Sequence, residues 1–207
     1  MKKLESSLTN MLLVLVGFSL ISAGLLAYVN HVTEAPIKIQ AEASLAKGIQ
    51  QVMAVPDLKV SSNDTVTQAV GGKTTTLIVH KAVGKDGNDL GAAVESTVTG
   101  FGGDLKVLVG FNPEGDILGY TILQTQETPG LGAKADKWFQ KGQKGNVIGK
   151  NPQKGSLSVT KDGGSVDAIT AATITSRAFL NAITQAYQAY TNNKGTGKTI
   201  KTEQHPS

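Results

Sequence analysis

The hydrophobic pattern changes character several times along the chain. Residues 11–29 (MLLVLVGFSLISAGLLAYV) are almost unbroken apolar sequence. At about 1.5 Å per residue, roughly 19 helical residues span about 28 Å, close to a bilayer core of about 30 Å. In 36–55, Ile37, Leu45, Ile49 and Val52 fall at partly helical spacing and Pro56 ends the pattern, which predicts a helix leaving the membrane. The polar, Gly-containing stretch 61–73 reads as a loop. From 74 to 126 the chain is β-rich, with predicted strands at 74–83, 91–98, 105–111 and 117–126. The turn signals at 84–88 and at Asn112-Pro113-Glu114-Gly115, a type I pattern, make this an antiparallel meander. Residues 127–132 break the last strand. A short helix at 135–140 holds Trp138, a Lys- and Gly-rich solvated loop covers 141–155, and 157–160 reads as one more strand ending at Asp162-Gly163-Gly164. A final helix, capped by Thr175 or Ser176, runs to about Tyr190 with Ala178, Phe179, Ala182, Ile183, Ala186, Tyr187 and Tyr190 on one stripe. The polar tail after Asn192 reads as frayed.

The fold class implied is α+β: a single N-terminal transmembrane helix, then an antiparallel sheet with flanking helices. Composition agrees. With 207 residues, 40% hydrophobic and 17% charged, the chain can bury one core, and 24 glycines against 5% aromatics suit a loop-rich domain. Charge sets the orientation. Lys2 and Lys3 precede the apolar run, whereas 30–36 contain Glu34 and no Lys or Arg, so the N-terminus belongs in the cytoplasm and the rest across the membrane. A cleaved signal peptide is the alternative, although Leu26-Ala27-Tyr28 makes a poor cleavage site; both readings export the domain.

Several chemistries are excluded. The absence of Cys rules out disulfides, thiolate metal sites, iron–sulfur ligation by Cys and c-type haem attachment. His31, His80 and His205 lie far apart, so no metal site is expected. The net charge of +4 is scattered and does not make a nucleic-acid surface. Any redox chemistry would need an organic cofactor.

The informative stretch is Asp167-Ala168-Ile169-Thr170-Ala171-Ala172-Thr173-Ile174-Thr175. Hydroxyls and small residues stand just before an amphipathic helix, whose N-terminal N–H groups can hold an anion. Ordinary N-capping by Thr or Ser explains the same pattern.

This stretch resembles the flavinylation motif Asp-x-x-Ser/Thr-Gly-Ala-Thr of the covalent FMN-binding domains. That family includes the G subunit of the Rnf ion-translocating electron-transport complex and the C subunit of the sodium-pumping NADH:quinone oxidoreductase. Asp167, Thr170 and Ala172 match, and Thr173 falls on the threonine that the family joins to the FMN phosphate. Ala171 departs from the usual Gly, which costs energy if a positive φ is needed there. Glu127-Thr128-Pro129-Gly130-Leu131-Gly132 is similar to the family's ETPGLG loop, and residues 100–109 to the segment before it. The chain's length favours the Rnf G subunit.

The resemblance implies a division into a cytoplasmic N-terminus (1–10), a transmembrane helix (11–29), a membrane-proximal helix and linker (30–73), an FMN-binding domain (74–193) and a polar tail (194–207). It implies FMN joined covalently to Thr173, with Thr170, Ala172, Thr175, Glu127, Thr128, Gly130, Leu131 and Gly132 binding the cofactor and Asp167 recognised by a separate FMN transferase. Thr173 is then an attachment point; no catalytic residue is assigned. Phe101 and Trp138 are candidates to cover the ring, with core packing as the alternative. For Glu127 the alternative is an exposed loop position, and for Pro129-Gly130 a type II turn. The implied role is electron transfer in a complex with other integral-membrane and iron–sulfur subunits, in the bacterial inner membrane with the FMN domain on the periplasmic or outer side. Competing readings are a freestanding membrane-anchored flavin reductase or shuttle, the related C subunit, and a tethered binding domain without cofactor.

Overall fold

The computed structural model describes residues 8–55, 58–70 and 73–196. The chain divides into two units, Met1–Ser44 and Leu45–Ser207. Lys2, Lys3, Pro56 and the tail from 197 onward lie outside the described residues.

Helix α1 runs unbroken from Leu8 to Met53. The sequence pattern predicts two separate helices, yet Pro36 sits inside one. Proline lacks an N–H and costs a helix interior about 3 kcal/mol, so it argues locally for a break. Its good helix-forming neighbours on both sides carry the helix through. In the first unit the apolar side chains around Met11–Tyr28 are exposed, and the helix is long and apolar enough to cross a membrane.

The second unit is built on a five-stranded sheet: β1 (Lys59–Val70), β2 (Lys73–Val83), β3 (Asp89–Thr99), β4 (Asp104–Phe111) and β5 (Ile117–Thr125). Neighbours in sequence are neighbours in space, all antiparallel. The meander is as expected, with one strand more. The stretch 61–73 is not a loop; most of it is β1. Its polar side chains hide it from a hydrophobic pattern because it is an edge strand, whose one backbone edge pairs with β2 from Lys59↔Val83 to Val70↔Lys73. Its polar groups find tertiary partners: Gln68 donates to the Gln185 carbonyl (3.1 Å), and Asp64 accepts from Asn193 (3.0 Å) and pairs with Lys81 (3.1 Å).

Both faces of the sheet are covered. Leu77, Val79, Val94, Leu105, Val107 and Val109 face helix α3 (Thr173–Thr196), whose expected stripe of Phe179, Ile183, Ala186, Tyr187 and Tyr190 is buried there. Each such large side chain contributes about 1.5–3 kcal/mol by leaving water. On the other face the last turns of α1 pack Ile49, Val52 and Met53 onto Ala82, Ala93 and Leu108. A Cβ on Gly110 or Gly119 would stand 2.5 or 2.8 Å from the Val52 carbonyl oxygen, so these two glycines let backbone meet backbone. Beside this contact, His80 bonds Glu95 (2.8 Å), which also pairs with Lys106 (2.5 Å). Burial works to raise the Glu95 pKa, but the bonds from His80 and Lys106 outweigh it and hold the carboxyl below its ordinary range.

After β5 come a 3-10 turn at Gly132–Lys134 and the short helix α2 (Ala135–Trp138). Residues 157–160 do not form a strand. Val159 makes a single parallel bridge to Val166 and the chain then turns through Thr160–Asp162. Helix α3 begins at Thr173, ahead of both expected caps, Thr175 and Ser176, and continues to Thr196.

Candidate functional site

Three segments converge where α3 begins. The first is the β3–β4 turn, Gly100-Phe101-Gly102-Gly103, closed by the Gly100 N–H to the Gly103 carbonyl (2.8 Å). The second is the loop after β5. Here the Leu131 N–H bonds the Thr128 carbonyl (3.1 Å) and Gly130 has φ 79°, as a type II turn over Pro129-Gly130 requires. The third is the turn into α3, where the Ala172 N–H bonds the Ile169 carbonyl (3.0 Å) and Ala171 takes φ 61°. A left-handed alanine costs about 1–2 kcal/mol relative to its ordinary conformation. The sequence departure at Ala171 therefore falls on a position that needs positive φ.

These segments enclose a cleft of roughly 310 Å³ lined by Phe101, Glu127, Thr128, Leu131, Gly132 and residues 171–175. Of the expected cofactor-binding residues, the structure brings Glu127, Thr128, Leu131, Gly132, Ala172, Thr173 and Thr175 to its walls. Thr170 and Gly130 are exposed outside that lining, as is Asp167. Trp138 does not cover the cleft. It lies half-buried elsewhere, donating Nε1–H to the Asp167 carbonyl (2.8 Å), and that bond fixes the approach to the α3 turn.

The walls are apolar and open. Among the described residues of the second unit, the large hydrophobic side chains left exposed are Val60, Phe101 (70%), Leu131 (41%) and Ile174 (53%), and the last three all border this cleft. Ile174 is an addition to the residues expected here. Its place on the exposed side of the first turn of α3 gives no sequence signal of its own.

The hydroxyls of the α3 turn divide by partner. Thr175 Oγ1 is buried and donates to Glu127 Oε2 (2.9 Å). Ser176 Oγ donates to the Ala172 carbonyl (3.0 Å) and accepts from the Ile169 N–H (2.9 Å). Neither is the helix cap that the sequence suggests. The cap position falls to Ala172, which has no side-chain acceptor. The first α3 N–H bonded to its carbonyl is that of Ser176 (3.0 Å), so the N–H groups of Thr173, Ile174 and Thr175 lack intrahelical acceptors. Among the described residues, Thr173 is the cleft-lining α3 hydroxyl without a protein partner, and no Lys or Arg lines the cleft. Arg177, one turn on, gives its guanidinium to Asp162 (2.8 and 2.7 Å) and holds that carboxyl below its usual range.

The arrangement suits a flat apolar group carrying an anion. Exposed hydrophobic side chains offer contact area, and uncapped N–H groups with a positive dipole end offer anion binding. The volume lies at the low end of ligand sites, roughly 300–1,000 Å³, so such a ligand would be enclosed only in part.

Comparison with known proteins agrees. Residues 100–188 match the model of the FMN-binding domain family. The chain is 34% identical over 189 residues to the G subunit of the ion-translocating oxidoreductase complex of Shewanella piezotolerans, covering 86% of each chain. It is 35% identical over 191 residues to the corresponding G subunit of Vibrio atlanticus, covering 87% of this chain and 89% of that one. For the G subunit of Yersinia pestis the values are 32% over 176 residues, covering 80% and 81%. A five-stranded domain with its cleft at the start of α3, matched over nearly its whole length, makes this chain a member of the G-subunit family of ion-translocating oxidoreductase complexes, of the Rnf type.

Proposed function

We propose that this chain carries electrons within such a complex through an FMN joined by a phosphoester to Thr173. The observation that carries the reading is the state of the α3 turn. Thr175 and Ser176 have given their hydroxyls to the protein, whereas Thr173 presents its own in the cleft above N–H groups without intrahelical acceptors. A phosphate on Thr173 Oγ1 would meet those N–H groups and the helix dipole, which matters in a cleft lined by no basic side chain.

A threonine hydroxyl is a weak nucleophile without an activating base. No His lines the cleft among the described residues, so a separate FMN transferase does the work. The new Thr173 Oγ–P bond replaces the P–O bond between the two phosphates of FAD. AMP leaves, and the hydroxyl proton passes to a base of the transferase. Asp167 would be part of what that enzyme recognises, and its exposure just ahead of the turn supports this.

Once bound, FMN supplies one- and two-electron chemistry. The chain's residues position it. Phe101, Leu131 and Ile174 offer apolar contact, Thr128 and loop N–H groups supply hydrogen bonds, and the partly open cleft leaves an edge accessible to a redox partner. With one apolar span and no Asp, Glu, Lys or Arg within 11–29, the chain is not an ion path by itself. Integral-membrane and iron–sulfur subunits complete the complex, with the anchor in the inner membrane and the domain on the outer side. A covalent bond there would keep the cofactor from diffusing away.

Intact mass and peptide mapping of the membrane-extracted chain test this. The expected result is a gain of one FMN less water on the peptide holding Thr173, absent in Thr173→Ala. An unmodified chain from a host with an active transferase would overturn the reading.

A further inference from the structure

We infer that Glu127 is a positioning residue that sets the shape of the cleft before any flavin arrives, holding Phe101 at its mouth and the first turn of α3 at its floor. The inference rests on the flavin reading and extends it to how the site is held.

The carboxylate is buried, 6% exposed, although it belongs to a surface loop. Its oxygens are already engaged. Oε1 accepts the N–H groups of Phe101 (2.6 Å) and Gly102 (3.3 Å), and Oε2 accepts the Thr175 hydroxyl (2.9 Å). Glu127 therefore ties the β3–β4 turn to α3 across the cleft, and its own N–H is fixed by Thr125 Oγ1 (3.1 Å). A side chain that accepts from three protein donors is poorly placed to donate to or recognise a ligand. Its work is to hold the walls.

Two glycines report the same design. Gly100 and Gly132 do not have positive φ, so backbone freedom does not explain them. A Cβ on Gly100 would collide with Glu127 Oε1, and one on Gly132 with Glu127 Oε2 and with Thr175 Oγ1. They are small because the carboxylate needs the space. The Gly-rich turn and the loop beginning at Glu127, separate motifs in the sequence, form one clamp around this side chain.

Amide hydrogen exchange on the full-length chain without flavin, paired with intact mass after co-expression with the transferase, tests the clamp in three variants. Glu127→Ala removes both tethers; exchange at Phe101 and Gly102 should speed up about tenfold or more, and FMN attachment should fall by a similar factor. Thr175→Val cuts only the α3 tether, so Phe101 and Gly102 should stay protected while the first turn of α3 loosens. Glu127→Gln keeps an acceptor for the two N–H groups and can donate to Thr175, so it should restore both protection and attachment to within about threefold of the parent chain. Exchange and attachment unchanged in Glu127→Ala would overturn the inference, as would a Glu127→Gln chain as impaired as the alanine variant. If Glu127→Ala fails to fold, the contrast between Thr175→Val and Glu127→Gln decides. A parent chain that carries no FMN would instead overturn the flavin reading, while the exchange data still judge the clamp.

Discussion

Strand β4 ends differently at its two tips. At its far end, Asn112-Pro113-Glu114-Gly115 is satisfied first by its own residues. The Gly115 N–H bonds the Asn112 carbonyl (2.9 Å) and the Asp116 N–H bonds Asn112 Oδ1 (2.7 Å). The end of α3 then closes over it, with Phe111 stacked on Tyr190 at 5.5 Å and edge-on to Tyr187 at 5.7 Å. At its near end, the turn around Phe101 leaves that ring exposed, and two of its N–H groups find an acceptor only on a distant loop. One end buries its aromatic side chains; the other leaves Phe101 exposed beside the cleft and is held in shape from outside. Mutations at the two ends should therefore separate stability from cofactor loading.

The sharpest separation is Thr173→Ala. It should abolish covalent FMN entirely by mass, while the melting temperature of the empty chain moves by less than about 2 °C, since a half-exposed hydroxyl without a protein partner is removed. At the closed end, Tyr190→Ala should cost about 3 kcal/mol in urea unfolding by deleting a buried ring and its bond to the Asn112 carbonyl, yet leave FMN on Thr173. Loading lost along with that stability would break the comparison.

Asn112→Ala should cost about 1–2 kcal/mol through the lost turn bond. It also has a pH signature. Asp116 is held below its ordinary pKa by hydrogen bonds from Asn151 and Asn112, so its contribution is present above the unfolded carboxyl pKa and disappears as pH falls through the lower folded value. Removing Asn112 moves the folded value up toward normal, so Asp116 has less stability to lose on acidification, and the gap between variant and parent should narrow as pH falls.

Ala171→Gly relieves the left-handed strain at the open end but loosens the unfolded chain, for a net gain within about 1 kcal/mol in the same unfolding experiment. The smallest effect on stability belongs to Phe101→Ala, expected within about 0.5 kcal/mol because the ring is exposed. Its consequence should show in the fluorescence of the attached flavin. A large destabilisation here would mean that the open end is core after all.

The apolar run of α1, four of the five strands and the buried stripe of α3 were legible from the sequence because burial there leaves a periodic record. The Asp-x-x-Thr-x-Ala-Thr and ETPGLG stretches pointed to the cleft by a different route, their resemblance to family motifs, since spacing alone fits ordinary helix capping equally well. β1 was not legible. An edge strand can be polar when its partners are a neighbouring backbone and side chains of α3, and no local pattern records either. The apolar run over 11–29 and the helix expected over 36–55 were legible as two stretches but not as the one helix they form, with Pro36 inside it.

By itself, then, the sequence determined most of the elements and their order, because those depend on local periodicity and residue type; Thr173 was singled out by the resemblance of its stretch to a family motif. Only the tertiary structure decided which hydroxyl is free, that Ala171 stands at positive φ, that Trp138 serves a backbone carbonyl rather than the cleft, and that Glu127 faces inward. Those depend on which groups meet across the fold. A hydroxyl at position 173, 175 or 176 looks the same in the chain until Glu127 and the Ala172 carbonyl claim two of the three.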